Sequence, residues 1–199
     1  MLIECGPMQT TRRQLLRATL GAAALAPSVT ACAALGGPAH GIRGRRGQSP
    51  DDFMHMAIEL AQWDVLRFGA VLVDRTSGEV LGAGQNRSIE NPTFHAEIVA
   101  IDDYLSRLGC LDDLDEAILG FRNTALYTTA ESCPMCMGGI AWARIPELYY
   151  GSAIPFLIQN GQWQIDVRAE TIANAANFEK TKVVGGILEA ECNALYRKT

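Results

Sequence analysis

From Phe68 to Ser152 the chain switches repeatedly between two hydrophobic periodicities, and this alternation limits its fold more than any other feature. "FGAVLVD" and "VLGAGQN" are short β-forming runs joined by the turn "RTSG", which predicts a hairpin. After a polar loop, "RSIENPT", the stretch "FHAEIVAIDDYLSRL" is helical in period, with Ile98, Ile101, Leu105 and Leu108 on one face. "TALYTTA" then predicts a buried strand, "CPMCMGGIAWARI" a helix and "ELYYGS" a fourth strand. Upstream, Ser49 is an N-cap, Pro50 suits the first helical position, and Asp51 and Asp52 complement the dipole of a helix. Phe53, Ala57, Leu60 and Ala61 form its apolar face. Downstream the pattern is less regular until "VVGGILEAECNALYRK", which predicts a final helix. Strands and helices in turn imply a three-layer α/β domain. Gly138 and Gly139 are costly within a helix, so close packing against the sheet is expected there.

The first 32 residues do not belong to that pattern. Arg12 and Arg13 precede an apolar run from about Leu15 to Ala26, too short for a membrane span. The stretch resembles a twin-arginine export signal. "VTAC" resembles a lipobox, in which Cys32 would carry a lipid anchor. Residues 33–48 are rich in Gly, Pro and Arg and read as a linker, leaving 49–199 as the functional domain. A real leader would place the protein in the periplasm or cell envelope; a start codon set too early would leave a cytoplasmic protein. The formal net charge of -5 argues against a general nucleic-acid binder, which needs a basic surface.

Six cysteines include one short-spaced pair, Cys133 and Cys136, too sparse a pattern for a disulfide scaffold. Such a pair can be a disulfide, a redox switch, a structural zinc knuckle or half of a catalytic metal site. It falls at a predicted helix start, where residues three apart share a face and thiol pKa values are lowered. Ser132 is the candidate cap of that helix. Of three histidines, His40 lies in the linker and His55 on the first helix, where a surface or packed role is expected. His95 opens another helix in "HAE". His95, Cys133 and Cys136 together leave a fourth tetrahedral position open, the pattern of catalytic zinc, which acidifies a bound water. Glu97, two residues from His95, points off the ligand face and is the candidate proton shuttle.

His-x-Glu followed by Pro-Cys-x-x-Cys is the signature of zinc-dependent deaminases. Here it reads His95-Ala96-Glu97 and Ser132-Cys133-Pro134-Met135-Cys136, with serine replacing the leading proline. From about Asp51 onward, "FMHMAIELA", "FGAVLV", "GAGQN", "NPTFHAEIVAI", "LYTTAESCPMCMGGIAWARI" and "GGILEAEC" resemble the cytidine deaminase-like superfamily, in its guanine deaminase and tRNA adenosine deaminase branch. The resemblance implies a five-stranded sheet between helices, a homodimer and hydrolytic release of ammonia. It makes His95, Cys133 and Cys136 zinc ligands and Glu97 the proton shuttle, and has the Cys133 amide polarise the transition state. Asn86 matches an asparagine that hydrogen-bonds the base. Trp142 stands where tRNA deaminases more often carry histidine, and could stack on a base. Asp166, with Glu170 in reserve, is the candidate for a second acid used in the guanine branch. "IPFLIQNGQWQIDV" is expected to form a pocket wall, with Phe156 or Trp163 facing the base.

Three readings follow. The first is a zinc-dependent deaminase of a small nucleobase or nucleoside, guanine favoured. The second acts on adenosine in tRNA, or on cytosine-type bases. The third, from another class, is a non-catalytic zinc or thiol protein of the cell envelope.

Overall fold

The computed structural model describes residues 39–108 and 114–197. The leader, Cys32 and Cys110 lie outside them. A five-stranded sheet runs in the order β2-β1-β3-β4-β5, from β1 (Gly69–Asp74), β2 (Val80–Gln85), β3 (Thr124–Ala130), β4 (Glu147–Ser152) and β5 (Lys182–Gly185). β1 is antiparallel to β2 and β3, whereas β3, β4 and β5 are parallel. The helices are α1 (Ala39–Ile42), α2 (Pro50–Ala61), α3 (Ala96–Leu108), α4 (Leu114–Phe121), α5 (Pro134–Trp142), α6 (Ile154–Gln159), α7 (Ala169–Ala175) and α8 (Glu189–Tyr196). The expected mixed α/β fold with a five-stranded sheet is present.

Alternation along the strands sends neighbouring residues to opposite faces. Ala70, Leu72, Leu126 and Leu148 join Ala100, Ile140 and Ala173 from α3, α5 and α7 in one core. Val71, Val73, Ala125 and Tyr127 join Phe53, Met56 and Leu60 of α2 in another. Helix α2 starts with a capping box: Asp52 N–H donates to Ser49 Oγ, and Ser49 N–H to Asp52 Oδ2. The hairpin turn is held by Asp74 Oδ1, which accepts from Thr76 N and Ser77 N, and Gly78 supplies a positive φ.

Several expectations change. Residues 39–48, read as linker, pack on the domain from Ala39 on: Ile42 is buried in the α2-side core, and Arg46 bridges to Glu79. The final segment is not one helix. Val183 and Val184 lie in β5, Gly186 turns the chain at positive φ, and α8 begins at Glu189. The buried side of α3 is Ala96, Glu97, Ala100 and Ile101, and Leu108 is exposed. Two glycines of β2 cause this rotation. A Cβ on Gly84 would overlap Ala96 O and one on Gly82 would overlap Ala100 O, so α3 sits with its backbone almost on the strand. Gly139 does not face the sheet but Ile98 of α3, and Gly138 faces open space.

The replacement Gly84→Ala must push α3 away from β2. It should cost about 1–3 kcal/mol, as overpacking does, lowering the denaturant midpoint. Because α3 carries His95 at its start, weaker zinc retention should accompany that loss.

Candidate metal centre and active site

The first turns of α3 and α5 meet beside the carboxyl end of β3. Parallel strands open a crevice at that end, where α/β proteins bind ligands. His95 precedes α3, Cys133 is the N-cap of α5, and Cys136 lies in its first turn. His95 Nδ1 and Cys133 Sγ are 3.6 Å apart, and the donor atoms of His95, Cys133 and Cys136 all lie within 4.8 Å of one another. All three cysteines placed among the described residues, Cys133, Cys136 and Cys192, are free thiols. Cys192, on α8, packs against Met54, Ala57 and Ile58 of α2, as expected of a core cysteine.

The donor set fits zinc. Bond lengths of about 2.0–2.1 Å to nitrogen and 2.3 Å to sulfur place neighbouring donors of a tetrahedral ion roughly 3.5–3.8 Å apart, which the 3.6 Å separation matches. The electrostatics agree. Cys133 is drawn down to about 4, chiefly by the hydrogen bond from the Cys136 thiol and then by His95, against the opposing effect of burial. That same hydrogen bond, with burial, drives the Cys136 thiol far upward. A cation bound there would hold both sulfurs as thiolates. His95 is raised, first by its contact with Cys133, against partial desolvation.

Glu97 is 6% exposed and borders the same cavity. Burial raises its pKa, aided by the negative charge at Cys133 and opposed by its own backbone N–H, the Ser132 hydroxyl and His95. Ser132 does not cap α5, whose N-cap is Cys133 with no side-chain cap bond. Its hydroxyl is instead fully buried without a hydrogen-bond partner in the structure, yet near enough to Glu97 to favour the charged carboxylate.

The cavity measures about 550 Å³. Leu66, Phe68 and Pro92 form apolar wall, and Asn86, Ser88, His95, Glu97, Glu131 and Cys133 supply polar groups. Asn86 is half-buried, and its Oδ1 accepts from Ser88 N at 2.7 Å and Ser88 Oγ at 2.6 Å. That fixes the amide orientation and leaves Nδ2 as the group without a partner among the described residues. The amide therefore offers donors rather than both donors and acceptor.

Two expected contacts are not brought here. Trp142 is 69% exposed on α5, tilted against Phe178 at 5.5 Å, and is not among the cavity-lining residues. Helical phase explains it: Cys136, Met137, Ile140 and Ala141 form the buried side of α5, and Trp142 falls outside that stripe. Asp166 and Glu170 are both exposed and outside the lining, and of this segment it is the half-exposed Arg168 whose Nε reaches the buried Glu131. Phe156 packs near Leu157 and Tyr196 rather than facing the cavity, whereas Gly161, Gln162, Trp163 and Gln164 do form a wall.

Sequence reasoning passed over Glu131. It is buried at the end of β3 and accepts from Ile154 N at 2.9 Å, Ala169 N at 3.0 Å and Arg168 Nε at 2.8 Å. A carboxylate closing a fully buried strand was the available signal, since buried acids need partners.

Comparison with known proteins places this geometry. The sequence matches the family described as "Cytidine and deoxycytidylate deaminase zinc-binding region" over residues 48–152, more than half the chain. The chain belongs to that family. Among relatives, it is 40% identical over 87 residues to the guanine deaminase of Bacillus subtilis (strain 168), covering 43% of this chain and 49% of that one. It is 38% identical over 105 residues to tRNA-specific adenosine deaminase 2 of Xenopus tropicalis, covering 50% and 60%. The chain thus spans about half to three fifths of the length of these relatives. A longer match joins it to the tRNA-specific adenosine deaminase of Haemophilus influenzae, 30% identical over 161 residues, covering 74% and 81%. Among solved structures, the guanine deaminase from Nitrosomonas europaea superposes with a TM-score of 0.66 at 25% identity, covering 77% of this chain and 86% of that one.

Zinc analysis of the purified protein should find about one ion per chain. Chelation should open Cys133 and Cys136 to alkylation. The loss of zinc affinity in His95→Ala should exceed the roughly 10–100-fold typical of losing a merely supporting residue.

Proposed function

We propose that this protein is a zinc-dependent aminohydrolase of a free purine base, with guanine as the first candidate. The carrying observation is the cavity of about 550 Å³: of its two buried carboxylates Glu131 is held by Ile154 N, Ala169 N and Arg168, whereas Glu97 lies beside the His95–Cys133–Cys136 donor set. When bound there, zinc supplies the Lewis acidity that makes water a nucleophile near neutral pH. The residues do the rest. Glu97, with its proton affinity raised by burial, would take one proton from the attacking water and give it to the ring nitrogen, then carry the second proton of that water to the amine, which leaves as ammonia. Asn86 orients the base through its Nδ2 donors. Cys133, as N-cap of α5, sits where backbone N–H groups favour negative charge.

Guanine is supported by the Bacillus subtilis relative and by structural neighbours solved with 8-azaguanine and with 2,6-diaminopurine. The net charge of -5 also suits a small ligand better than a polyanion. If residues 1–32 act as an export signal, the protein works away from cytoplasmic tRNA. A second reading, deamination of adenosine in tRNA, is supported by the longer alignment with the Haemophilus influenzae relative.

Ammonia release should be measured on guanine, adenine, cytosine, their nucleosides and tRNA. Turnover of guanine is expected, and activity confined to tRNA would replace this reading with the second. In Glu97→Gln, zinc content should stay unchanged while kcat falls by roughly 10²–10⁴. Near-normal turnover would remove Glu97 from the mechanism.

A further inference from the structure

The wall from Asn160 to Arg168 joins α6 to α7, and both of its supports end on one carboxylate. Glu131 holds Ile154 N at the start of α6, and it holds Ala169 N and Arg168 Nε at the start of α7. Arg168 Nη2 extends the network to Tyr150 Oη in β4 at 3.0 Å. Glu131 is 2% exposed and lies two residues before the zinc ligand Cys133. Between these supports the backbone bonds of the wall are local: Gly161 N to Ile158 O, Gln162 N to Leu157 O, and Val167 N to Ile165 O.

This wall carries Trp163, which borders the cavity yet is 99% exposed. No ring contact involves it among the described residues, in contrast to Trp142 against Phe178. An indole carries one of the largest apolar surfaces of any side chain, and leaving all of it in water forgoes the burial such a residue normally gains. Among the described residues nothing covers it, and the cavity that it borders is space a ligand would fill. Phe68 and Leu66 line that same cavity, so a flat ring bound there would meet apolar groups as well as the indole.

We propose that Trp163 stacks over the ring of the bound base, and that Glu131 is the positioning residue that holds its segment in reach. The inference deepens the purine reading and rests on it for the ligand class, a flat heteroaromatic ring. Stacking of this kind is tolerant of base identity, because every base has a π-face. Trp163 would therefore govern how tightly a base is held, while Asn86 would govern which edge is read.

The test uses the zinc-loaded full chain, with 8-azaguanine as the probe and the best substrate of the panel above for kinetics. The probe should quench tryptophan emission in the wild type and do so far less in Trp163→Phe. Trp163→Leu should raise both the Kd of the probe and KM by about ten-fold while kcat stays within about three-fold, and Trp163→Phe should recover most of that loss. Arg168→Ala, which leaves Glu131 its two backbone donors, should raise KM in the same direction without altering zinc content. Unchanged Kd, KM and emission in Trp163→Leu, in a protein that binds the probe, would overturn the inference alone. If the wild type ignores 8-azaguanine but deaminates another base, the guanine preference falls and the KM comparison on that base decides the role of Trp163. A zinc-loaded protein that neither binds nor deaminates any base would overturn both.

Discussion

The active site depends on how closely α3 lies on β2. Two strand glycines, Gly82 and Gly84, face backbone carbonyls of the helix where no side chain would fit. That contact draws the start of α3 down to the level of the sheet, beside the end of β3. His95 and Glu97 arrive there because they open the helix. The same closeness removes Glu97 from water, and desolvation is the main reason its carboxyl holds a proton more readily than usual.

How much of this was legible depended on range. The N-cap at Ser49, the turn at Arg75–Gly78 and the strands β1 to β4 are set by neighbours in sequence, and the residues alone located them; the capping box with Asp52 and the part of Asp74 in the turn came from the structure. The metal donors were legible too, since histidines are few and the two thiols share a helix turn. The regions that resisted depend on distant partners. Helices α6 and α7 are too short to show a periodicity, and their starts are held by Glu131, far away in the chain. The buried side of α3 follows small residues that fit against glycines, not its larger aliphatic side chains. Trp142 and Asp166 were chosen by alignment with a pattern, and pattern matching does not reveal the direction of a side chain. Residues 39–48 looked like linker because Gly and Arg dominate, yet the buried side chain of Ile42 and backbone bonds from Gly44, Arg45 and Gly47 to the β1–β2 hairpin dock them.

The donor cluster also links metal, proton and fold. Zinc binds cysteine as thiolate, so loading the site releases thiol protons and affinity rises with pH. Because the folded chain brings the three donors together and an unfolded one does not, bound metal adds to stability by mass action. α3 and α5 are joined through the site as well as through packing of Ala100 and Ile140 in the shared core.

Glu131 divides the molecule into two kinds of territory. On one side are α3, β3 and α5, where a shift of a fraction of an ångström would spoil the donor geometry. On the other is a nine-residue span, 160–168, which leaves the end of α6, a helix whose start at Ile154 N is held by Glu131, and finishes at Arg168, held by the same carboxylate. None of residues 160–168 is a metal donor, so a chain built this way would change which ligand it grips by altering the span while its donor cluster stays intact.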